Sequence, residues 1–113
     1  MSLNAEELQS IRDKYPHLRE YRSDDLDEPI DPLTFVDPSG DGLLHIATCA
    51  GDLGTVELLV HAGVDVNQLG DMGCTALHYA RMKGKKDIYS FLVAQGASTL
   101  LRNEFGQLPD EVE

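Results

Sequence analysis

Tryptophan is absent from this 113-residue chain, aromatic residues make up only 6%, and there are two cysteines. Basic residues are also scarce, because nine Lys and Arg stand against 20 Asp and Glu, for a net charge of -11 at pH 7. Such an acidic surface repels phosphate backbones and anionic lipid headgroups. We therefore expect no nucleic-acid or membrane partner, and a protein with a basic surface is favoured instead. The length suffices for one domain or one short array.

Long apolar runs are missing as well. The opening MSLNAEELQSIRDKY lacks the apolar core of a secretory signal, and no stretch reaches the roughly 18 apolar residues that a membrane span needs. Cys49 and Cys74 have neither CxxC nor zinc-finger spacing. These absences predict reduced thiols and a cytoplasmic location.

Signatures of chemistry are absent too. No Ser/His/Asp arrangement, GxSxG motif or phosphate-binding glycine loop is apparent, so we expect neither an enzyme nor a cofactor. One acidic run has the charge of a calcium loop but lacks its spacing and central glycine, which favours a solvated acidic stretch; it comprises Asp24, Asp25, Asp27 and Glu28.

Two stretches of the chain nearly repeat each other. GDGLLHIATCAG begins at Gly40 and GCTALHYARMKG begins at Gly73, 33 positions later. When residues 37–69 are aligned with 70–102, the identical pairs are Gly40/Gly73, Leu44/Leu77, His45/His78, Ala47/Ala80, Gly51/Gly84, Leu59/Leu92, Val60/Val93 and Gly63/Gly96. The pattern starts a third time with NEFGQLP at residue 103.

These features resemble the ankyrin-repeat family, whose period is 33 residues and whose core motif is TPLHxA. Residues 75–80, TALHYA, depart from that motif only in Ala for Pro, whereas residues 42–47, GLLHIA, lack both Thr and Pro. GVDVN at 63–67 is close to the family's GADVN. The resemblance implies an all-α solenoid of stacked helix-turn-helix units at 37–69, 70–102 and, in part, 103–113. Residues 1–36 would supply an N-terminal capping helix and an acidic connector.

The local signals place the helices within each unit. First helices are expected at 43–50 and 76–83, and second helices at 53–61 and 86–95, with Asp52 as a cap and left-handed glycines at Gly51, Gly84, Gly63 and Gly96. Asn4 and Glu7 form a capping-box pattern for a helix running from Ala5 to about Tyr15. The helices are too short to be stable alone, so stacking must hold them; the expected contacts join Leu44, Ile46, Ala47, Val56, Leu59 and Val60 to Leu77, Tyr79, Ala80, Tyr89, Leu92 and Val93. The apolar residues of the connector's second half, from Ile30 to Val36, are expected to lie against the fold.

The repeated histidines allow two interpretations. Cys49 and Cys74 each lie one helical turn from a histidine, so a thiolate–imidazole metal site is conceivable. The resemblance favours a structural role instead, because the family's repeated histidine is held by hydrogen bonds across the turn. Thr75 is positioned to join His78 in this way.

The resemblance also implies where a partner protein would bind. Ankyrin-repeat proteins use a concave face built from turn tips and the exposed ends of the first helices. On this chain those positions are Asp41, Asp71, Met72, Cys74, Arg81, Met82, Lys83, Glu104 and Phe105. Their apolar members suit an interface, and their acids would steer a basic partner. Met72 and Phe105 could alternatively cover neighbouring repeats.

The sequence thus favours a monomeric, non-enzymatic protein-binding module. Two alternatives remain open. One is a dedicated inhibitor or immunity-type protein that neutralises a basic enzyme or toxin. The other is a fragment of a longer array, since the repeat pattern stops inside its third copy.

Overall fold

The computed structural model of the protein describes residues 3–16, 18 and 31–112, and five α-helices lie within them. They are α1 (Ala5–Lys14), α2 (Leu43–Ala50), α3 (Leu53–His61), α4 (Ala76–Met82) and α5 (Lys86–Ala94), with single turns of 3-10 helix at Asp71–Gly73 and Pro109–Glu111. The predicted all-α fold is confirmed, and every predicted helix end agrees within one residue. Strand-like pairing in these ranges is limited to an isolated bridge between Val36 and Gly42. None of the described helices is long and apolar enough to cross a membrane.

The N-terminal helix is held against the first repeat. Its predicted capping box is present, because the Glu7 N–H donates to Asn4 Oδ1 at 2.8 Å and the Asn4 N–H donates to Glu7 Oε1 at 3.0 Å. At the other end, the Tyr15 hydroxyl donates to Asp52 Oδ2 at 2.9 Å and Lys14 Nζ lies 3.1 Å from Asp52 Oδ1. Asp52 also caps α3 through the Thr55 N–H, at 3.1 Å. One carboxylate therefore begins α3 and fixes α1 to it.

Residues 19–30 of the connector, including the acidic run from Asp24 to Glu28, lie outside the described residues. Its second half does contact the fold, as expected. Phe35 is buried in the core, and Leu33 is partly buried against it.

Glycines end the helices of each repeat. Gly51 closes α2 with a φ of 74°, and its N–H bonds the carbonyls of Ala47 and Thr48. The other predicted terminal glycines also have positive φ: Gly63 (101°), Gly84 (68°) and Gly96 (92°). Only glycine adopts this left-handed backbone without steric cost.

Stacking of the two repeats makes the core. Helix α2 contacts α3 and α4, α4 contacts α5, and α3 contacts α5. The predicted core positions that are buried are Leu44, Ala47, Val56, Leu59, Leu77, Ala80 and Leu92, with Ile46, Val60 and Tyr89 partly buried. The prediction for Val93 is wrong, because this side chain is 41% exposed. Its counterpart Val60 lies on α3, which α5 helps to cover, whereas among the described residues only the single 3-10 turn at Pro109–Glu111 follows α5.

Candidate protein-binding surface

The turn tips of successive repeats are joined by hydrogen bonds. The Asp71 N–H donates to Asp41 Oδ1 at 2.8 Å, and the Glu104 N–H donates to the Met72 carbonyl at 2.9 Å. Each bond connects one tip to the next. Residues 38–41, 71–74 and 104–107 therefore form a continuous edge on the molecule.

The middle tip contains a backbone conformation that methionine rarely adopts. Met72 has φ 57° and ψ 25°, and Gly73 follows with φ 68°. Two successive left-handed residues are typical of a type I′ turn, which favours Asn and Gly. A residue with a Cβ pays roughly 1–2 kcal/mol in this region relative to glycine.

The two apolar tip residues are exposed. Met72 is 49% exposed, and Phe105, at the same register position of the next tip, is 69% exposed. Neither belongs to the core cluster. A large part of each side chain is therefore accessible to solvent.

Cys74 is buried and does not belong to this surface, so the prediction that it contacts a partner is wrong. Its side chain is only 5% exposed and lies against Asn103, whose Nδ2 is 3.7 Å from the sulfur. Burial raises the pKa of the Cys74 thiol, the hydrogen bond from Asn103 opposes this increase, and the carboxylates of Asp41, Asp71 and Glu104 add to it. The three predicted acids thus lie within electrostatic reach of one buried thiol.

Asp41 has a structural task that the sequence pattern did not predict. Its Oδ1 accepts a 2.8 Å bond from the Tyr79 hydroxyl as well as the bond from the Asp71 N–H. The Tyr79 ring lies edge-on to the His45 ring, with centroids 5.6 Å apart. Burial, followed by the Asp41 carboxylate, raises the pKa of Tyr79 well above its usual range. Asp41 therefore links the first repeat to the second.

The repeated histidines are committed to backbone hydrogen bonds. His78 Nδ1 accepts from the Thr75 N–H at 2.9 Å, and its Nε2 lies 2.9 Å from the Gln107 carbonyl. His45 makes the equivalent bonds, to the Gly42 N–H at 3.0 Å and the Gln68 carbonyl at 2.9 Å. An amide N–H can only donate and a carbonyl can only accept, so each neutral ring carries its proton on Nε2. Both nitrogens are thereby used, and the described residues contain no cluster of three or more metal-ligating side chains.

The predicted helix-end residues of the second repeat lie on two different surfaces. Met82 and Lys83 are exposed at the end of α4. Cys49 occupies the Met82 position of the first repeat, and burial raises its thiol pKa, an effect opposed by Lys83 and reinforced by Asp41. Lys83 at a helix end and Asp41 at a turn tip thus both lie within electrostatic reach of Cys49. Arg81 instead lines a groove between α4, α5 and the Pro109–Glu111 turn.

The comparisons with known proteins agree with this architecture. The family model for ankyrin repeats, in three copies, matches residues 23–103, and the chain belongs to the ankyrin-repeat family. The match begins ahead of residue 37, inside the predicted connector.

Several curated proteins are similar in sequence. Protein phosphatase 1 regulatory subunit 27 of Homo sapiens and of Mus musculus is 39% identical over 80 residues, covering 71% of this chain and 52% of that protein. The Saccharomyces cerevisiae protein named "Probable 26S proteasome regulatory subunit p28" is 34% identical over 77 residues, covering 66% of this chain and 34% of that protein. The chain therefore spans about half the length of the first relatives and a third of the last. Arrays of this family present extended surfaces to partner proteins.

Proposed function

We propose that the chain is a non-enzymatic module that binds a partner protein through its turn tips. The tip surface, as we define it, comprises Asp71, Met72, Glu104 and Phe105, with Met82 and Lys83 on its helix side. The observation that carries this proposal is the exposed Met72 side chain on a left-handed backbone. Glycine would fold there with less strain, so the methionine is best explained by a contact outside the chain.

The composition of the tip surface suits an interface. Met is a flexible apolar side chain and Phe is a rigid one, and both can serve as anchors in an interface. A polar rim commonly surrounds such anchors. Asp71 and Glu104 supply that rim here. Together with the net charge of -11, they favour a partner whose surface is basic.

Regulation of an enzyme by binding it is the more specific role that we propose. Three of the similar proteins carry names of regulatory subunits, two of a phosphatase and one of the proteasome. A dedicated inhibitor of a basic enzyme is the second candidate, supported by the acidity of the chain. If the partner is an enzyme, assays of its activity would distinguish these two roles. An inhibitor abolishes the activity at saturation, whereas a regulatory subunit changes the substrate preference.

Both cysteines are free thiols, in line with the proposed cytoplasmic location.

The Met72→Gly variant tests the tip surface most sharply. Removing the side chain relieves the backbone, so the free energy of unfolding should stay unchanged or rise by up to about 1 kcal/mol. Affinity for a partner captured with the wild-type protein should fall by about 1 kcal/mol or more, which is at least fivefold. Few substitutions that damage a fold could give this pair of results.

Leu100→Ala is the matched control, since Leu100 is 77% exposed but lies outside the tips. Binding kinetics and thermal melts for Met72→Gly, Phe105→Ala and Leu100→Ala should show loss of affinity only in the first two. Asp71→Lys should mainly slow association, and the effect should shrink as salt rises. Equal affinities for all four variants and the wild type would place the binding site elsewhere on the molecule.

A further inference from the structure

Cations are concentrated in one short segment of this acidic chain. Residues 81–86, RMKGKK, contain four of the nine Lys and Arg residues. They lie at the end of α4, in the following turn and at the start of α5. Within the described ranges, Arg81, Lys83, Lys85 and Lys86 form no ion pair, whereas Lys14 and Arg102 do.

Two of these cations line a groove. Arg81 and Lys86 share it with Tyr89, Ser90 and Asp110, and its volume is about 350 Å³. The Tyr89 hydroxyl donates to Asp110. Burial and then Asp110 raise the pKa of Tyr89 to about 12, while Arg81 acts in the opposite direction. The guanidinium therefore lies within electrostatic reach of the groove's aromatic ring.

The position in the first repeat that corresponds to this groove is covered by a side chain. A Cβ added at Gly51 would lie 3.2 Å from the Lys85 side chain, whereas one added at Gly84 would meet nothing within 4 Å. Lys85 thus covers the first repeat, and no described residue does the same for the second.

The residue types also change between the two places. Thr48, Leu53 and Glu57 of the first repeat are replaced by Arg81, Lys86 and Ser90. Two cations are gained and a carboxylate is lost. A merely solubilising surface requires polarity but not one sign of charge, and the chain as a whole has 20 acids against nine bases.

We infer that this groove binds an acidic peptide segment of a partner protein. The peptide's carboxylates would pair with Arg81 and Lys86, and its chain would lie beside Tyr89. The small volume suits a few side chains. A long polyanion such as duplex DNA would instead meet the repulsion of the whole protein, whereas a short segment responds mainly to charges within a Debye length of about 10 Å. This site is separate from the tip surface and does not depend on it.

A labelled glutamate-rich peptide, with a glutamine-rich peptide as the neutral reference, tests the inference by fluorescence anisotropy. Lys86→Gln should weaken glutamate-peptide binding about two- to fivefold, the range for one exposed ion pair. Lys83→Gln is the matched control, because it removes the same charge from the same turn outside the groove. Asp110→Asn should strengthen binding by a similar factor, a gain that a damaged fold could not produce.

Each result of these titrations either supports or overturns binding of an acidic peptide in the groove. A greater loss for Lys86→Gln than for Lys83→Gln, with a gain for Asp110→Asn, supports the groove. Equal losses for the two lysine variants would mean diffuse attraction and would overturn it. So would absence of peptide binding, or preferential binding of duplex DNA or inorganic phosphate in parallel titrations. Met72→Gly should bind the peptide like the wild type, so failure of the groove and failure of the tip surface are distinguishable.

Discussion

Removal of one hydroxyl group should loosen the contact between the two repeats. Tyr79→Phe deletes the 2.8 Å bond to Asp41 but leaves the ring packed edge-on against His45. A hydrogen bond to a charged group contributes about 1.5–3 kcal/mol. Asp41 is half-buried, so water can replace part of the lost bond. We therefore expect the free energy of unfolding to fall by about 1–2 kcal/mol, which lowers the melting temperature by about 4–8 °C.

Tyr89→Phe provides the matched control. It removes the same group from the same residue type, and that hydroxyl also donates to an aspartate, Asp110. Asp110 is exposed, so the expected cost is about 0.5 kcal/mol or less. Chemical denaturation of both variants gives the comparison. Equal costs, or a cost below about 0.5 kcal/mol for Tyr79→Phe, would refute the assignment of Asp41 as the link between repeats.

Three further predictions concern stability. His78→Ala should cost about 1–3 kcal/mol, because it leaves the buried Thr75 N–H without its acceptor, and denaturation with and without zinc should show no metal dependence. Asp52→Ala should cost about 1–2 kcal/mol at neutral pH through the lost cap. Burial alone would raise the pKa of Asp52, but hydrogen bonds from Thr55 and its other donors lower this pKa below 3.8. The stabilisation by Asp52 is therefore present above pH 3.8 and is lost as the pH falls through the pKa of Asp52 in the folded protein. Melts in acid should show the stabilities of Asp52→Ala and the wild type converging. The pKa of Tyr89 is raised from 10.0 to about 12, so its contribution is present in full below pH 10 and disappears as the pH rises towards 12, which alkaline melts of wild type and Tyr89→Phe would show.

The fold was predictable because the repeated positions carry local rules. Glycine at Gly51 and Gly84, and the Asp52 cap, specify helix ends without reference to tertiary contacts. The period then fixes which helices stack. For the four helices of the repeats, agreement within one residue follows from this redundancy, since each boundary occurs in both copies. Helix α1 has no second copy, and its start is specified by its own capping box.

The direction of individual side chains was harder to predict. Asp41 and Cys74 occupy equivalent positions directly after left-handed glycines, Gly40 and Gly73, which turn the chain towards the helices. Both side chains therefore point towards the contact between repeats rather than outward. Gln107 follows Gly106 in the same way and is hydrogen-bonded to Asn103, at 3.1 Å. Their equivalent positions in the three repeats could have predicted this shared direction. Because the three residues are of different types, the sequence comparison did not reveal it.

The groove at Arg81 could not be foreseen for a different reason. Whether the position is open depends on what covers it from the next unit, and Lys85 does so for the first repeat alone. A register carried over from the family assigns Arg81 to the concave face. Its position beside Tyr89 and Asp110 follows only from the three-dimensional packing.

The position of Asp41 decides which acid can be used to study binding. Its carboxylate already accepts two hydrogen bonds, so any substitution there changes stability and surface charge together. Asp71 contributes its backbone N–H to the same link, and that donor survives every side-chain replacement except proline. Its carboxylate can therefore be neutralised or reversed while the link between repeats persists. An effect of Asp71→Lys on association reports on the partner, whereas the same change at Asp41 would report mainly on the fold.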